Sequence, residues 1–302
     1  MTLVSIFANN ILPVFLAAGA GYLLGKFLHL NPRPLSQAVF YIFSPCLLFK
    51  LLTTSKISNG EILRVLGFAV AVISATGFLA WLVGRFFKFE RRILAAVLLT
   101  SMFMNAGNFG LPLVNFAFGT EALAYAGLMF VGMNILINSV GVMIASLGTS
   151  DLRKSLLNLF KIPAIYGVIL GILILSTGWE LPQPLGRTVE ILADASIPCM
   201  LVLLGLQFHN IQWKGQKTPL AVVSSIRLIV APLIALAISS IFHMQGPALQ
   251  AGIIETGMPS AVLTTVLALE FDVEPSFVTA VVFVTTFLSP LTLTPLLYYM
   301  GA

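Results

Sequence analysis

Apolar residues in this chain come in long runs, broken only briefly by charged or turn-forming positions, rather than in the three-and-four spacing of a soluble amphipathic helix. About 20 successive apolar residues let a helix cross the hydrocarbon core of a bilayer. Ten runs reach that length, at 6–28, 35–53, 62–87, 93–118, 121–147, 158–178, 186–208, 218–243, 247–269 and 275–300. The predicted fold class is therefore an all-α membrane protein with ten transmembrane helices and short connections. The opening stretch, MTLVSIFANNILPVF, has no Lys or Arg ahead of its apolar run and no small-residue cleavage site after it. The first span is accordingly expected to be retained, not removed as a signal peptide.

Composition and charge add to this picture. Of 302 residues, 58% are hydrophobic and 9% charged, against roughly 25% charged in soluble domains, and the mean hydropathy is +1.01. Intrinsic disorder and a large extramembrane domain are excluded on that ground. The net charge of +5 does not point to nucleic acid, because the basic residues lie between apolar runs and form no patch or arm. They read instead as topology signals in a lipid bilayer. Lys26, Arg33, Arg85, Lys88, Arg91, Arg92, Arg153, Lys154, Lys161, Lys214 and Lys217 fall on one side, and Lys50, Lys56, Arg64 and Arg187 on the other. Basic loops face the cytoplasm, so both termini are expected to be extracytoplasmic in a multi-pass plasma membrane protein (the inner membrane, if bacterial). Cys46 and Cys199 both lie in apolar stretches and imply neither a disulfide framework nor a metal site.

The two halves of the chain resemble each other. At an offset of 150, Pro13 falls on Pro163, Gly21 on Gly171, Pro32 on Pro182, Pro34 on Pro184, Leu35 on Leu185 and Val39 on Val189. Ser44-Pro45-Cys46-Leu47 is echoed by Ile197-Pro198-Cys199-Met200, and Asn108-Phe109-Gly110-Leu111-Pro112 by Glu255-Thr256-Gly257-Met258-Pro259. With five spans to each half, an odd number, the second copy must enter the membrane upside down. The predicted organisation is a first repeat over 1–147, a connecting loop at 148–157 and a second, inverted repeat over 158–302. Inverted repeats are typical of secondary transporters, whose substrate sites lie where matching helices are broken near the midplane.

Spans 4 and 9 carry such interruptions. SMFMNAGNFGLPLVNF and AGIIETGMPSAVLTT place glycine and proline in mid-run, and proline removes an amide donor while clashing with the preceding turn. Backbone groups freed in lipid cost several kcal/mol each unless something satisfies them. If the two segments cross, half-helices starting near Pro112 and Pro259 would aim positive ends at the crossing, favouring an anion, while the freed carbonyls would suit a cation. Asn105 and Asn108 precede Pro112, and Glu255 and Thr256 precede Pro259. An acid at a helix centre costs roughly 2.5–3.5 kcal/mol on translocon scales, so such residues usually have a function. Glu255 is read as the ion-coupling group with Thr256; the structural alternative pairs it with Arg227 as a brace.

Other features have plainer readings. The small residues Ala17, Gly21, Gly25, Gly167 and Gly171 suit close helix packing and lack the order of a nucleotide-binding loop. Pro45 and Pro198 are expected to kink their helices. Asn134 and Asn138, four apart in span 5, share a helix face, either bonding to a neighbouring helix or lining a substrate cavity. Asp194 is either a membrane-buried acid or a solvated, capping one. His29, His209 and His243 lie far apart with no metal-binding spacing, and Glu270, Asp272 and Glu274 read as a solvated loop.

Ten spans in inverted five-helix repeats, an N-x-G-x-P break in span 4 and a G-M-P break in span 9 resemble the auxin efflux carrier family over nearly the whole chain. Bacterial members of that family are small-carboxylate permeases, malonate carriers among them, and plant PIN-type members export the indole-3-acetic acid anion. The resemblance implies a fold shared with bile acid:sodium symporters: a scaffold of helices 1, 2, 6 and 7, and a transport domain of helices 3–5 and 8–10 in which broken helices 4 and 9 cross. It also implies substrate binding at Asn105, Asn108, Gly110, Pro112, Gly257, Met258 and Pro259. The long loop of plant carriers is absent between Gly148 and Asn158.

The expected function is secondary transport of an organic anion, a small carboxylate or an auxin-like acid, by elevator or rocking alternating access. Asn105 and Asn108, with Asn134 and Asn138 on the cavity wall, would hold the carboxylate, and Glu255 with Thr256 would carry H⁺ or Na⁺. No cofactor, metal or nucleotide is expected, and a homodimer is left open. The alternatives are an anion-binding membrane sensor and an intramembrane enzyme; no nucleophile and base pair supports the enzyme.

Overall fold

The structure, a computed structural model, describes residues 2–55, 57–147, 160–179, 181–208 and 217–302. The connection expected at 148–157 lies outside the described residues, as do Lys56, Arg153, Lys154, His209 and Lys214. The helices are α1 (Leu3–Leu28), α2 (Arg33–Thr54), α3 (Asn59–Phe86), α4 (Arg91–Met102), α5 (Ala106–Ala145), α6 (Pro163–Thr177), α7 (Gln183–Gln207), α8 (Lys217–Ser239), α9 (Gly246–Thr256), α10 (Leu263–Glu270) and α11 (Pro275–Tyr299). Among the described residues the only extended pairing is one antiparallel bridge, Met104 with Ser260. Seven helices among the described residues, α1, α2, α3, α5, α7, α8 and α11, are long and apolar enough to cross a membrane, against the ten expected. Large apolar side chains such as Phe78 (62% exposed) and Leu291 (73% exposed) point outward, a surface that lipid covers at no cost and water does not.

The fourth and fifth runs divide differently from the expected 93–118 and 121–147. The fourth is interrupted after Met102, and its second part is continuous with the fifth in α5, a helix of 40 residues bent at Gly119. Only glycine adopts the backbone angle there (φ 77°) without strain.

Proline is accommodated by one device four times over. Wide π turns at Phe7–Ile11, Val39–Phe43, Ala106–Gly110 and Ile226–Val230 precede Pro13, Pro45, Pro112 and Pro232. The proline ring collides with the carbonyl four residues before it. In these helices that residue, Asn9, Tyr41, Asn108 or Leu228, is the centre of the widened turn, which moves its carbonyl aside. The kink expected at Pro45 is thus a widened turn, while near Pro198 the chain bends at Ala195.

Packing is tightest where glycine meets backbone. At the α1–α7 crossing Gly21 faces the Val202 carbonyl and Gly205 that of Ala18; at the α2–α6 crossing Gly167 faces the Pro45 carbonyl and Gly171 faces Leu52. A Cβ at Gly21, Gly205 or Gly167 would overlap backbone atoms, so these glycines pack helices, as small residues do in lipid. The pairs are reciprocal: the first helix of one half packs on the second helix of the other. Elsewhere α3 packs on α5 at Ala69 and Gly132, and α5 lies along α9.

Candidate functional site

The breaks in the fourth and ninth runs satisfy one another. The Asn105 amide donates to the Pro259 carbonyl (2.8 Å), and the Ala261 amide donates to the Phe103 carbonyl (2.9 Å). The Ser260 hydroxyl donates to the Thr100 carbonyl (2.7 Å), and its amide to the Thr285 hydroxyl (3.2 Å). Groups that lipid would leave unpaired are bonded across the gap. The second halves begin at Ala106 and Leu263, not near Pro112 and Pro259. Pro112 lies inside α5 because the π turn absorbs its clash, whereas Pro259 lies in the gap itself and contributes its carbonyl.

The four helix ends at this junction sort by polarity. The positive N-terminal ends of α5 and α10 line a cavity of about 140 Å³, through Asn105, Gly107 and Asn108 on one side and Ala261, Val262 and Leu263 on the other. Ser36, Ser44, Asn134 and Gln207 also reach the cavity, and among the described residues no acidic side chain lines it. Asn105 is 5% exposed and its Nδ2 has no partner. The Asn108 Nδ2 donates to the Gln207 Oε1 (3.4 Å), and the Asn134 Nδ2 to the Phe130 carbonyl (2.8 Å). A wider chamber of about 680 Å³ shares Ser36, Phe40, Gln207, Val262, Leu263 and Val266 with this cavity and adds Arg33 and Asn138. Amide donors, helix N-termini and a basic rim without carboxylates favour a negatively charged guest.

The negative C-terminal ends meet a buried cation instead. Arg227 is 1% exposed; its Nη1 donates to the Ser101 (2.8 Å) and Met102 (3.3 Å) carbonyls of α4, and its Nη2 to the Thr256 carbonyl of α9. The brace weighed for Glu255 and Arg227 is therefore not formed: Nη1 and Nη2 donate to carbonyls, Nε has no partner, and neither Glu255 carboxylate oxygen has a hydrogen-bond partner. Glu255 is fully buried, with its carboxylate over Gly110, where a Cβ would overlap it.

The residues singled out in the sequence are distributed accordingly. Asn105, Asn108 and Asn134 line the inner cavity, and Asn138 lines the wider chamber, where its Nδ2 donates to the Asn134 carbonyl (2.9 Å). Gly257, Met258 and Pro259 form the interrupted backbone, Gly110 and Pro112 belong to the first turns of α5, and Glu255 and Thr256 end α9. The Thr256 hydroxyl is turned back onto the Ile253 carbonyl (2.8 Å). Sequence reasoning missed Ser36, Ser44 and Gln207, which α2 and α7 bring to the cavity. Ser44 carried a signal, a polar residue beside a mid-run proline; Gln207, at the end of its run, carried none. Asp194 pairs with Lys50 (2.7 Å) on an open face, its side chain 65% exposed, and is not a buried acid.

Comparison with known proteins agrees with this architecture. The model of a family described as Membrane transport protein matches residues 6–153 and 149–298. An uncharacterized transporter of Methanothermobacter thermautotrophicus is 26% identical over 93% of this chain and 94% of its own length. A putative malonate transporter of Rhizobium meliloti is 25% identical over 95% and 94%. Auxin efflux carrier component 1 of Arabidopsis thaliana is 27% identical over 49% of this chain and 24% of its own length. Spanning helices, paired interruptions and these matches together make the chain a member of the membrane transport protein family, that of the auxin efflux carriers.

Proposed function

We propose that this protein is a secondary transporter that binds a small carboxylate at the junction of the two interrupted helices and moves it by alternating access. The observation that carries this reading is Asn105, which lines a cavity onto which two helix N-termini open, with no acid among the described residues of its wall, and whose buried Nδ2 has no partner. A carboxylate oxygen is the acceptor that such a donor lacks. Asn108 and Gln207 supply further amide groups, and Arg33 gathers anions at the rim. The cavity volume of about 140 Å³ is below the roughly 300 Å³ of a pocket for drug-sized ligands, so a short acid suits the inner site. An auxin-like aromatic acid would have to extend into the wider chamber, whose wall includes Phe40 and Tyr41.

Glu255 is the group we assign to a coupling ion, a proton or Na⁺, since its buried carboxylate has no partner. The reciprocal crossings of α1 with α7 and α2 with α6 support two inverted five-helix repeats over 1–147 and 158–302, with these four helices as a scaffold. The remaining helices would form the transport domain, with both termini outside the plasma membrane. Proteoliposomes assayed with radiolabelled malonate and indole-3-acetate under imposed pH and Na⁺ gradients test the reading. Concentrative uptake or counterflow of either acid is the expected result. Binding without counterflow would replace transport by the role of an anion sensor.

A further inference from the structure

We propose that the Arg227 guanidinium is a resident cation of the junction, holding the carbonyl ends of both interrupted helices where a metal ion would otherwise be needed. Resting on the transport reading, this removes sodium from the two candidate coupling ions. Interrupting a helix frees carbonyls at the end of its first half, and the macrodipole adds negative charge there. Two such ends, α4 and α9, meet inside the protein, away from water. Left alone, they would repel each other or recruit a cation. One guanidinium reaches both, through Nη1 to Ser101 and Met102 and through Nη2 to Thr256. It comes from a third helix, α8, on the π turn that precedes Pro232, so the widened turn places the charge at the junction. Its planar fork holds Nη1 and Nη2 apart in a fixed geometry, each aimed at a different helix end, whereas the three donors of an ammonium radiate from a single nitrogen.

Sodium would require several oxygen ligands in one shell, and the Ser101, Met102 and Thr256 carbonyls at these C-terminal ends already accept from Arg227. The Glu255 carboxylate does not fill the gap, since it lies over Gly110 and has no bond to Arg227. The positive charge at the helix C-termini is thus covalently tethered, and the N-terminal ends remain free to receive cargo.

The test compares wild type, R227M and R227K, all full length, in two measurements. Thermal unfolding in detergent with sodium chloride or choline chloride reads ion binding independently of transport, because a ligand that binds only the folded state stabilises it. Wild type should unfold at the same temperature in both salts, R227M should be selectively stabilised by sodium or by added guanidinium, and R227K should lie between. In proteoliposomes, wild-type carboxylate uptake should change less than about twofold between the salts. R227M should lose at least about tenfold, the scale of one charge-assisted hydrogen bond, and guanidinium should restore part of it. A merely structural arginine would show no cation-selective recovery. Sodium-specific stabilisation of wild type overturns the proposal, even if R227M fails to fold, and so does an R227M protein indifferent to cations. Wild type that takes up no acid yet shows the expected unfolding pattern refutes the transport reading and leaves the resident cation standing.

Discussion

At the scale of single residues, the junction pairs an amide lacking an acceptor with a carboxylate lacking a donor, Asn105 and Glu255, and only the first faces the cavity. Replacing Asn105 with Leu should raise the concentration for half-maximal carboxylate uptake about tenfold or more, since a hydrogen bond to a charged group is worth about 1.5–3 kcal/mol. Replacing it with Asp should be worse, by adding a like charge to the site. Glu255→Gln should abolish uptake or make it insensitive to the imposed ion gradient, at unchanged abundance in the membrane; gradient-driven uptake equal to wild type would remove Glu255 from coupling. Gly110→Ala probes the same carboxylate from the other side, because its methyl group would overlap Glu255. Its loss of stability should shrink when Glu255 is also changed to Ala, a non-additivity that detergent unfolding would read directly.

At the scale of elements, the controlling feature is how a helix tolerates proline without losing its path. Pro112→Ala removes the reason for the Ala106–Gly110 π turn. We expect uptake to fall while thermal stability holds or rises, because a regular α turn would re-aim Asn108. Part of this level was legible in the sequence. Long apolar runs gave an all-helical chain, in which seven helices among the described residues reach spanning length against the ten expected, and proline with glycine inside two of the runs marked the interruptions. The positions of the breaks were not legible. Proline suggested helix starts at Pro112 and Pro259, but a widened turn and a cross-segment bridge, both tertiary solutions, moved them to Ala106 and Leu263. Likewise Arg227 was visible as a lone charge in an apolar run, yet its partners are backbone carbonyls, which no residue pattern records. Gln207 joins the cavity only because α7 packs on the first turn of α5.

At the scale of the whole molecule, charge and packing divide the work. Arg33 stands at the rim of the wider chamber, so Arg33→Glu should slow uptake at low ionic strength and narrow the difference from wild type as salt rises, with little effect on unfolding. Gly205→Leu should cost well over the roughly 1–3 kcal/mol of ordinary overpacking, because the obstacle at Ala18 is backbone. A reduced yield of folded protein is the readout. The glycine contacts carry a mechanical consequence. Where main chain rests on main chain, at Gly21 and Gly205 between α1 and α7 and at Gly167 between α2 and α6, there is no side chain to swing aside at the point of contact, so these pairs resist slipping. Any stroke that carries cargo must instead run along the seams made of side chains, such as Leu48 against Gly127 or Asn108 against Gln207, and those seams are where a jammed variant should be sought.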